Sequence, residues 1–215
     1  MNRSVFVGLA LFCSLAFSGS GVAAPHPVSV DDLMKLRWIA DVQISPDGER
    51  VAYVVSQPNV ENNTHDAQLY IVPTAGGTPV RMTYGTRIFN VPRPAPHLRW
   101  SPNGSSLAFV ALVNDLPQVV SMNATGGEAR TLTTAKAGTA SFEWSPDGQC
   151  IAYIAPDPAP ADEERRKKEK TYVNEVDRNE RPPRVWIQDV TGGNARAITP
   201  ADQYVIGFSW SPDGS

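Results

Sequence analysis

The stretch Trp144-Ser145-Pro146-Asp147-Gly148 is one of four similar segments in this sequence of 215 residues. The others are Ile44-Ser45-Pro46-Asp47-Gly48, Trp100-Ser101-Pro102-Asn103-Gly104 and Trp210-Ser211-Pro212-Asp213-Gly214. In such a segment proline fixes φ at the second turn position, serine offers a local hydrogen bond, and glycine takes the last position, where φ is often positive. Each segment therefore predicts a tight reversal between two antiparallel strands, with the bulky residue before it free to pack against a neighbouring unit.

The same succession of elements surrounds each turn. An alternating apolar run follows three of the turns, at residues 51–55, 107–110 and 151–154. A second apolar run and a Gly-Gly pair come next, and then a short stretch that closes in Met82-Thr83, Leu132-Thr133 or Ile198-Thr199. Four short antiparallel strands per unit are typical of a β-propeller blade, so we predict an all-β fold. The predicted blades are about 40–83, 97–133, 140–199 and an incomplete 206–215, from which we expect a truncated propeller within 40–215.

The spacing of the turns indicates where the blades carry extra residues. The turn serines at 45, 101, 145 and 211 are separated by 56, 44 and 66 residues, whereas a bare blade needs about 40–45. The largest excess is an insertion at 156–183, in which residues 162–170 form a run of mixed charge that we expect to be solvated. A loop of this length in a compact blade is either functional or disordered, and we interpret it as a partner-contacting loop.

The first residues have the layout of a secretory signal peptide. Arg3 precedes an apolar run at 5–17 and a stretch of small residues at 19–24. We predict a signal peptide at 1–23, cleaved near Ala23, and therefore a periplasmic or secreted product. Segment 24–39 follows, where Ser29 and Asp32 have the spacing of a capping box and predict a short helix that packs against the first blade.

Composition and charge exclude several classes of partner. The formal net charge is −3 with 41% hydrophobic residues, which gives no reason to expect a nucleic-acid partner. No later run is long enough to span a bilayer, so we expect no membrane contact after signal cleavage. Of the two cysteines, Cys13 lies in the signal peptide, so Cys150 is expected to be a buried structural thiol without a disulfide.

The sequence offers no residue set that could perform catalysis or hold a cofactor or metal. It contains no Gly-x-Ser-x-Gly, no His-Glu-x-x-His and no glycine-rich phosphate loop. The three histidines are His26, His65 and His97, and none lies beside a recurring Ser or Asp. We therefore predict no catalytic, cofactor-binding or metal-binding residue, and we interpret the turn serines and aspartates as structural.

Together these features resemble a known family. The Trp-Ser-Pro-Asp-Gly units resemble the TolB-like propeller repeat. The helix at Asp31-Asp32-Leu33 and the insertion ending in Arg181-Pro182-Pro183-Arg184-Val185-Trp186 are similar to the N-terminal propeller of the prolyl oligopeptidase family of serine peptidases, in its acylaminoacyl-peptidase and dipeptidyl-peptidase branch. The resemblance covers roughly residues 30–215.

The resemblance implies a function and a partner domain. In that family the propeller precedes an α/β-hydrolase domain with a Ser-Asp-His triad, controls the access of small peptides and docks on the hydrolase domain. That C-terminal domain is missing from this sequence, so no catalytic residue is carried over. Some dipeptidyl peptidases hold the substrate amine with paired glutamates, but Glu163-Glu164 lies in the charged run and does not receive that role.

Two other readings stay open at this point. One is a non-catalytic, TolB-like periplasmic binding propeller, and the other is the propeller of an amidohydrolase fusion. A Gly-x-Ser-x-Gly motif after the last blade would favour the peptidase. A His-x-His cluster there would favour the amidohydrolase fusion, and a chain that ends after the last blade would favour the binding propeller.

Overall fold

The computed structural model of the chain describes residues 27–89, 97–139, 141–173 and 181–214. The predicted signal peptide at 1–23 and its cleavage site near Ala23 lie outside the described residues. In the described ranges no helix is long and apolar enough to cross a membrane.

Three four-stranded antiparallel sheets make up the described chain. The first blade holds β1 (Trp38–Ile44), β2 (Arg50–Asn59), β3 (Thr64–Pro73) and β4 (Val80–Arg81). The second blade holds β5 (Arg99–Trp100), β6 (Ser106–Val113), β7 (Leu116–Asn123) and β8 (Arg130–Thr131). The third blade holds β9 (Ser141–Trp144), β10 (Cys150–Pro156), β11 (Pro183–Asp189) and β12 (Arg196–Ala197). Within each blade every strand pairs with the next along the chain, which confirms the predicted all-β fold of antiparallel blades.

Each turn is held by its serine side chain. In the third blade the hydroxyl of Ser145 accepts the amide N–H of Cys150 at 2.9 Å and donates to Asp147 Oδ1 at 2.6 Å. Asp147 Oδ1 also accepts the amide of Gln149 at 3.0 Å, and Gly148 adopts a φ of +71°. The same bonds recur around Ser45 and Ser101. The three serines are buried, so the hydroxyl satisfies a backbone group that water does not reach.

The turns of successive blades pack on one another. A Cβ atom added to Gly148 would lie 3.4 Å from Pro102 Cδ of the preceding turn. The corresponding distances are 3.5 Å from Gly104 to Pro46 and 3.7 Å from Gly214 to Pro146. Gly48 in the first turn has no atom within 4 Å of such a Cβ. The glycines therefore allow positive φ, and three of them lie in van der Waals reach of the proline of the preceding turn.

The core consists of two layers between the three blades. Strand β6 contributes to both: Leu107, Phe109 and Ala111 pack against the first blade, while Ala108 and Val110 pack against the third. These five residues are at most 1% exposed. The uninterrupted apolar run of β6 thus follows from its position in the middle blade, where both faces of the strand are covered.

A closing threonine completes each blade. The fourth strands have only two residues, and beyond them Thr83 Oγ1 accepts the amide N–H of Leu69 at 3.0 Å. Thr133 and Thr199 do the same for Val119 at 2.9 Å and for Val185 at 3.1 Å. The side chain replaces the backbone acceptor that a longer strand would supply.

Two details of the predicted fold are wrong. The capping box of Ser29 and Asp32 forms and starts helix α1 (Val30–Leu33), but none of the helix residues is buried, so it does not pack against the first blade. Cys150 is half-buried rather than buried, because it lies on the face of the third blade that no complete sheet covers; its Sγ donates to Asp189 Oδ1 at 3.2 Å.

The turn packing gives a matched pair of variants. Gly148→Val should lower the free energy of unfolding by about 1 kcal/mol or more, because it combines positive φ with a side chain driven against Pro102. Gly48→Val has a similar φ of +75° with open space around it, so it should cost less. Urea denaturation of both variants measures the difference, and equal losses would contradict a packing role for the turn glycines.

Candidate functional site

The first strands of consecutive blades approach each other closely. The amide of Leu98 donates to Asp41 Oδ2 at 2.8 Å, and Trp100 Nε1 donates to the carbonyl of Gln43 at 3.2 Å. These bonds join the first blade to the second at the same strand in each, β1 and β5. The first strand of each blade therefore lies at its inner edge, which faces the central axis in a propeller.

A charged cluster joins the second and third blades at this edge. Arg99 Nε lies 3.2 Å from both oxygens of Glu143, and Arg99 Nη2 lies 3.1 Å from Oε1. His97 Nε2 lies 2.9 Å from the carbonyl oxygen of Phe142 and 3.6 Å from Glu143 Oε1. The three charged or titratable side chains remain 20–35% exposed, so the cluster borders solvent.

The cluster favours the ionised form of Glu143. Partial burial raises the pKa of this carboxyl, but the interactions with His97 and Arg99 outweigh burial and hold the pKa below its usual range. A bidentate guanidinium–carboxylate pair is also geometrically specific. Glu143 is therefore a carboxylate at neutral pH, and its pair with Arg99 joins β9 to β5.

Polar side chains alternate along the edge. The positions two and four residues before each turn serine carry Asp41, Gln43, His97, Arg99, Ser141 and Glu143. Side chains two apart share a face of a strand, so each polar pair points to the same side of its blade. The edge can hold charged or hydrogen-bonding groups, but it does not bring a nucleophile together with a base among the described residues.

The predicted absence of catalytic and metal-binding residues stays a prediction. His65 packs edge-to-face on Trp38 with ring centroids 5.2 Å apart, and His97 belongs to the charged cluster. His26 lies outside the described residues. Within the described ranges no three side chains of the metal-ligating types lie together.

The insertion of the third blade contains a buried carboxylate. Helix α2 (Ala161–Lys168) starts after Pro160, and its Glu163 is only 3% exposed. Glu163 forms ion pairs with Lys167 Nζ at 2.9 Å and with Arg181. The bonds with Lys167 and then Arg181 lower the pKa of Glu163 to about 2. The expectation that the whole charged run is solvated is therefore wrong for this residue, whereas its neighbour Glu164 is exposed.

A second ion pair anchors the base of the insertion. Arg184 Nη1 lies 3.0 and 2.9 Å from the two carboxylate oxygens of Asp157, and Arg184 Nε donates to the carbonyl of Thr199 at 2.9 Å. Arg184 comes directly before Val185, whose amide donates to the closing Thr199. The equivalent positions in the first and second blades are Gln68 and Gln118. This departure of one repeat from the other two is the sequence signal that could have identified Arg184.

Two known proteins that resemble this chain in sequence are peptidases. No protein-family model matches the chain. Over 125 residues it is 38% identical to an uncharacterized peptidase, YuxL, of Bacillus subtilis, which covers 58% of this chain and 18% of the relative. Over 123 residues it is 29% identical to dipeptidyl-peptidase 5 of Porphyromonas endodontalis, which covers 57% of this chain and 17% of the relative. The chain thus spans less than a fifth of the length of these relatives.

Solved structures share the fold at lower identity. The acylaminoacyl peptidase of Pyrococcus horikoshii has a TM-score of 0.55 at 17% identity, over 77% of this chain and 26% of that chain. The AtxE2 isopeptidase has a TM-score of 0.57 at 21% identity, over 81% of this chain and 32% of that chain. With the two peptidase relatives, these findings confirm the resemblance: the chain is similar to a part of known peptidases, and it shares its fold with a part of the acylaminoacyl peptidase.

Proposed function

We propose that the chain is the propeller portion of an exported serine peptidase that acts on small peptides. The observation that carries the proposal is the 38% identity to a peptidase over 125 residues. In this proposal the hydrolase domain outside the sequence supplies the catalytic triad. The propeller controls the access of peptides and docks on that domain.

The first-strand edge supports the access role. In a closed ring of blades the first strands line an axial channel. The residues that would face the channel here are polar and include the Arg99–Glu143 pair. Such a channel admits extended peptides with free termini better than folded proteins. Its narrow width excludes bulky folded domains, and its polar walls replace the water that hydrates the peptide.

The first blade supports the presence of further blades. Its Val42 and Ile44 are 53% and 64% exposed, although these positions correspond to Leu98 and Trp100 of the second blade, which are 0% and 8% exposed. In the second blade the preceding sheet covers them. We infer that another blade of the same protein covers Val42 and Ile44, since an apolar patch of this kind marks a contact surface.

Export completes the proposal. The layout of residues 1–23 supports a cleaved signal peptide and a periplasmic or secreted protein. Determination of the N-terminal sequence of the purified protein tests it, and a mature chain that begins near Pro25 is the expected result. A protein that retains Met1 or Asn2 in a soluble cell extract would contradict export.

The catalytic part of the proposal is tested with the whole gene product. We expect it to release p-nitroaniline from aminoacyl or dipeptidyl p-nitroanilides and to be inactivated by a serine-directed phosphonate. The 215-residue chain alone should give no turnover above background. Activity that resists the phosphonate but is abolished by a metal chelator would favour the amidohydrolase fusion, and a gene product without hydrolytic activity would favour a binding propeller.

The blade-covering part is tested at Ile44. In the 215-residue chain Ile44→Glu should change the melting temperature little and raise the monomer fraction, because this side chain already contacts solvent. In the whole gene product the same change should lower stability by about 2 kcal/mol or more, since it buries a charge. Differential scanning fluorimetry and size-exclusion chromatography measure both effects. Equal tolerance in the two proteins would contradict a covering blade, and Trp100→Glu, at the covered position, should destabilise both.

A further inference from the structure

A polar cavity lies between the second and third blades on the side of the turns. It has a volume of about 400 Å³, within the range of small-molecule sites. Its walls include Ser106 and Ser121 of the second blade, Trp144 and Asp147 of the third, and Arg130 at the end of the second. Its lining contains none of the polar pairs of the first-strand edge and no residue of the insertion.

The cavity exists because the second blade lacks the long side chain that fills the equivalent space in the first blade. The fifth residue after the turn serine is Arg50 in the first blade and Ser106 in the second. Arg50 reaches the next blade, where Nη2 donates to the carbonyl of Gly104 at 3.0 Å and the guanidinium lies 4.9 Å from the ring centroid of Trp100. Serine is too short for either contact, so the equivalent space beside Trp144 stays open.

A second departure makes the wall polar. The second strand of each blade carries an alanine that pairs with a residue of the third strand. In the first blade Ala52 pairs with Ile71, and in the third blade Ala152 pairs with Ile187. In the second blade Ser121 occupies this position. Ser106 stands where the first blade has arginine, and Ser121 stands where the first and third blades have isoleucine. Both serines line this cavity, so its wall carries two hydroxyl groups.

One residue of the cavity wall has a buried polar group that lacks a partner among the described residues. Ser121 is 3% exposed and adds a hydroxyl group to the cavity wall. Nε1 of Trp144 is shielded from solvent and is also unpartnered among the described residues, whereas the equivalent Nε1 of Trp100 donates to Gln43. Buried polar groups in folded proteins are normally satisfied, so an unsatisfied indole N–H on a cavity-lining residue points to a ligand that accepts hydrogen bonds.

The charged residues define the rest of the ligand. Arg130 uses Nη1 to bind the carbonyl of Val190 at 3.0 Å, which leaves further N–H groups of its guanidinium for the cavity. Asp147 adds a carboxylate to the cavity wall, and its Oδ1 is engaged by the turn. A cation and an anion in one small cavity favour a molecule that carries both charges.

We propose that this cavity binds a small zwitterion of the amino-acid type. Its carboxylate accepts hydrogen bonds from Ser121, Trp144 Nε1 and Arg130, and its ammonium group faces Asp147. The proposal rests on the geometry between the second and third blades and does not depend on peptidase activity.

The test uses L-alanine as the probe. The protein is the wild-type 215-residue chain, or the whole gene product if the 215-residue chain self-associates. In ¹⁵N-labelled protein the indole N–H signal of Trp144, assigned with Trp144→Phe, should shift saturably with L-alanine. Acetate and methylammonium at equal concentration should each produce at most about a tenth of the shift. An unmoved indole signal, or an equal response to simple salts, would overturn the proposal without recourse to any variant.

Ser106→Arg provides the structural control, because it restores the residue type that fills the equivalent space in the first blade. It should weaken L-alanine binding at least about tenfold in isothermal titration and leave the melting temperature unchanged or raised. Thr78→Arg adds the same charge at an exposed site of the first blade and should leave binding intact. Undiminished binding in Ser106→Arg, or a crystal structure soaked in L-alanine that shows ordered water only, would contradict the site.

Discussion

The hydroxyl of the turn serine is the interaction on which each blade depends. In Ser45, Ser101 and Ser145 this group is buried and accepts the amide of the residue five positions on. The bond starts the second strand, which then pairs with the first and third. Loss of the hydroxyl would leave a buried amide unsatisfied, at a cost of about 1–3 kcal/mol. The turn also presents its proline to the glycine of the next turn, so one short segment organises both the blade and the contact between blades.

Much of the fold could be predicted from the sequence because its determinants are local and repeated. The four turns, the alternating runs and the Gly-Gly pairs each act over a few residues and give antiparallel blades. The burial of Glu163 could not be predicted, because it depends on Arg181 across 18 residues of an insertion. The exposure of helix α1 and of Cys150 depends on what lies against a surface, which a local pattern does not encode.

The repeats also show where this chain has specialised. Positions that the fold requires are the same in each blade, such as the turn serine and the closing threonine. Positions that differ mark local tasks: Arg184 anchors the insertion where two other blades carry glutamine, and Ser106 opens a cavity that Arg50 fills in the first blade. The cavity beside Ser106 could be found only by this comparison of equivalent positions, because no single sequence motif predicts it.

The central claim, that a buried serine hydroxyl organises each blade, is tested by hydrogen exchange of single backbone amides in Ser145→Ala. The Cys150 amide, which donates to this hydroxyl, should be protected in the wild-type chain to the same degree as strand interiors. In the variant its exchange should accelerate at least about tenfold. The Ser106 amide, bound to Ser101 in the second blade, should keep its rate. Unchanged protection of Cys150 in the variant would contradict the account.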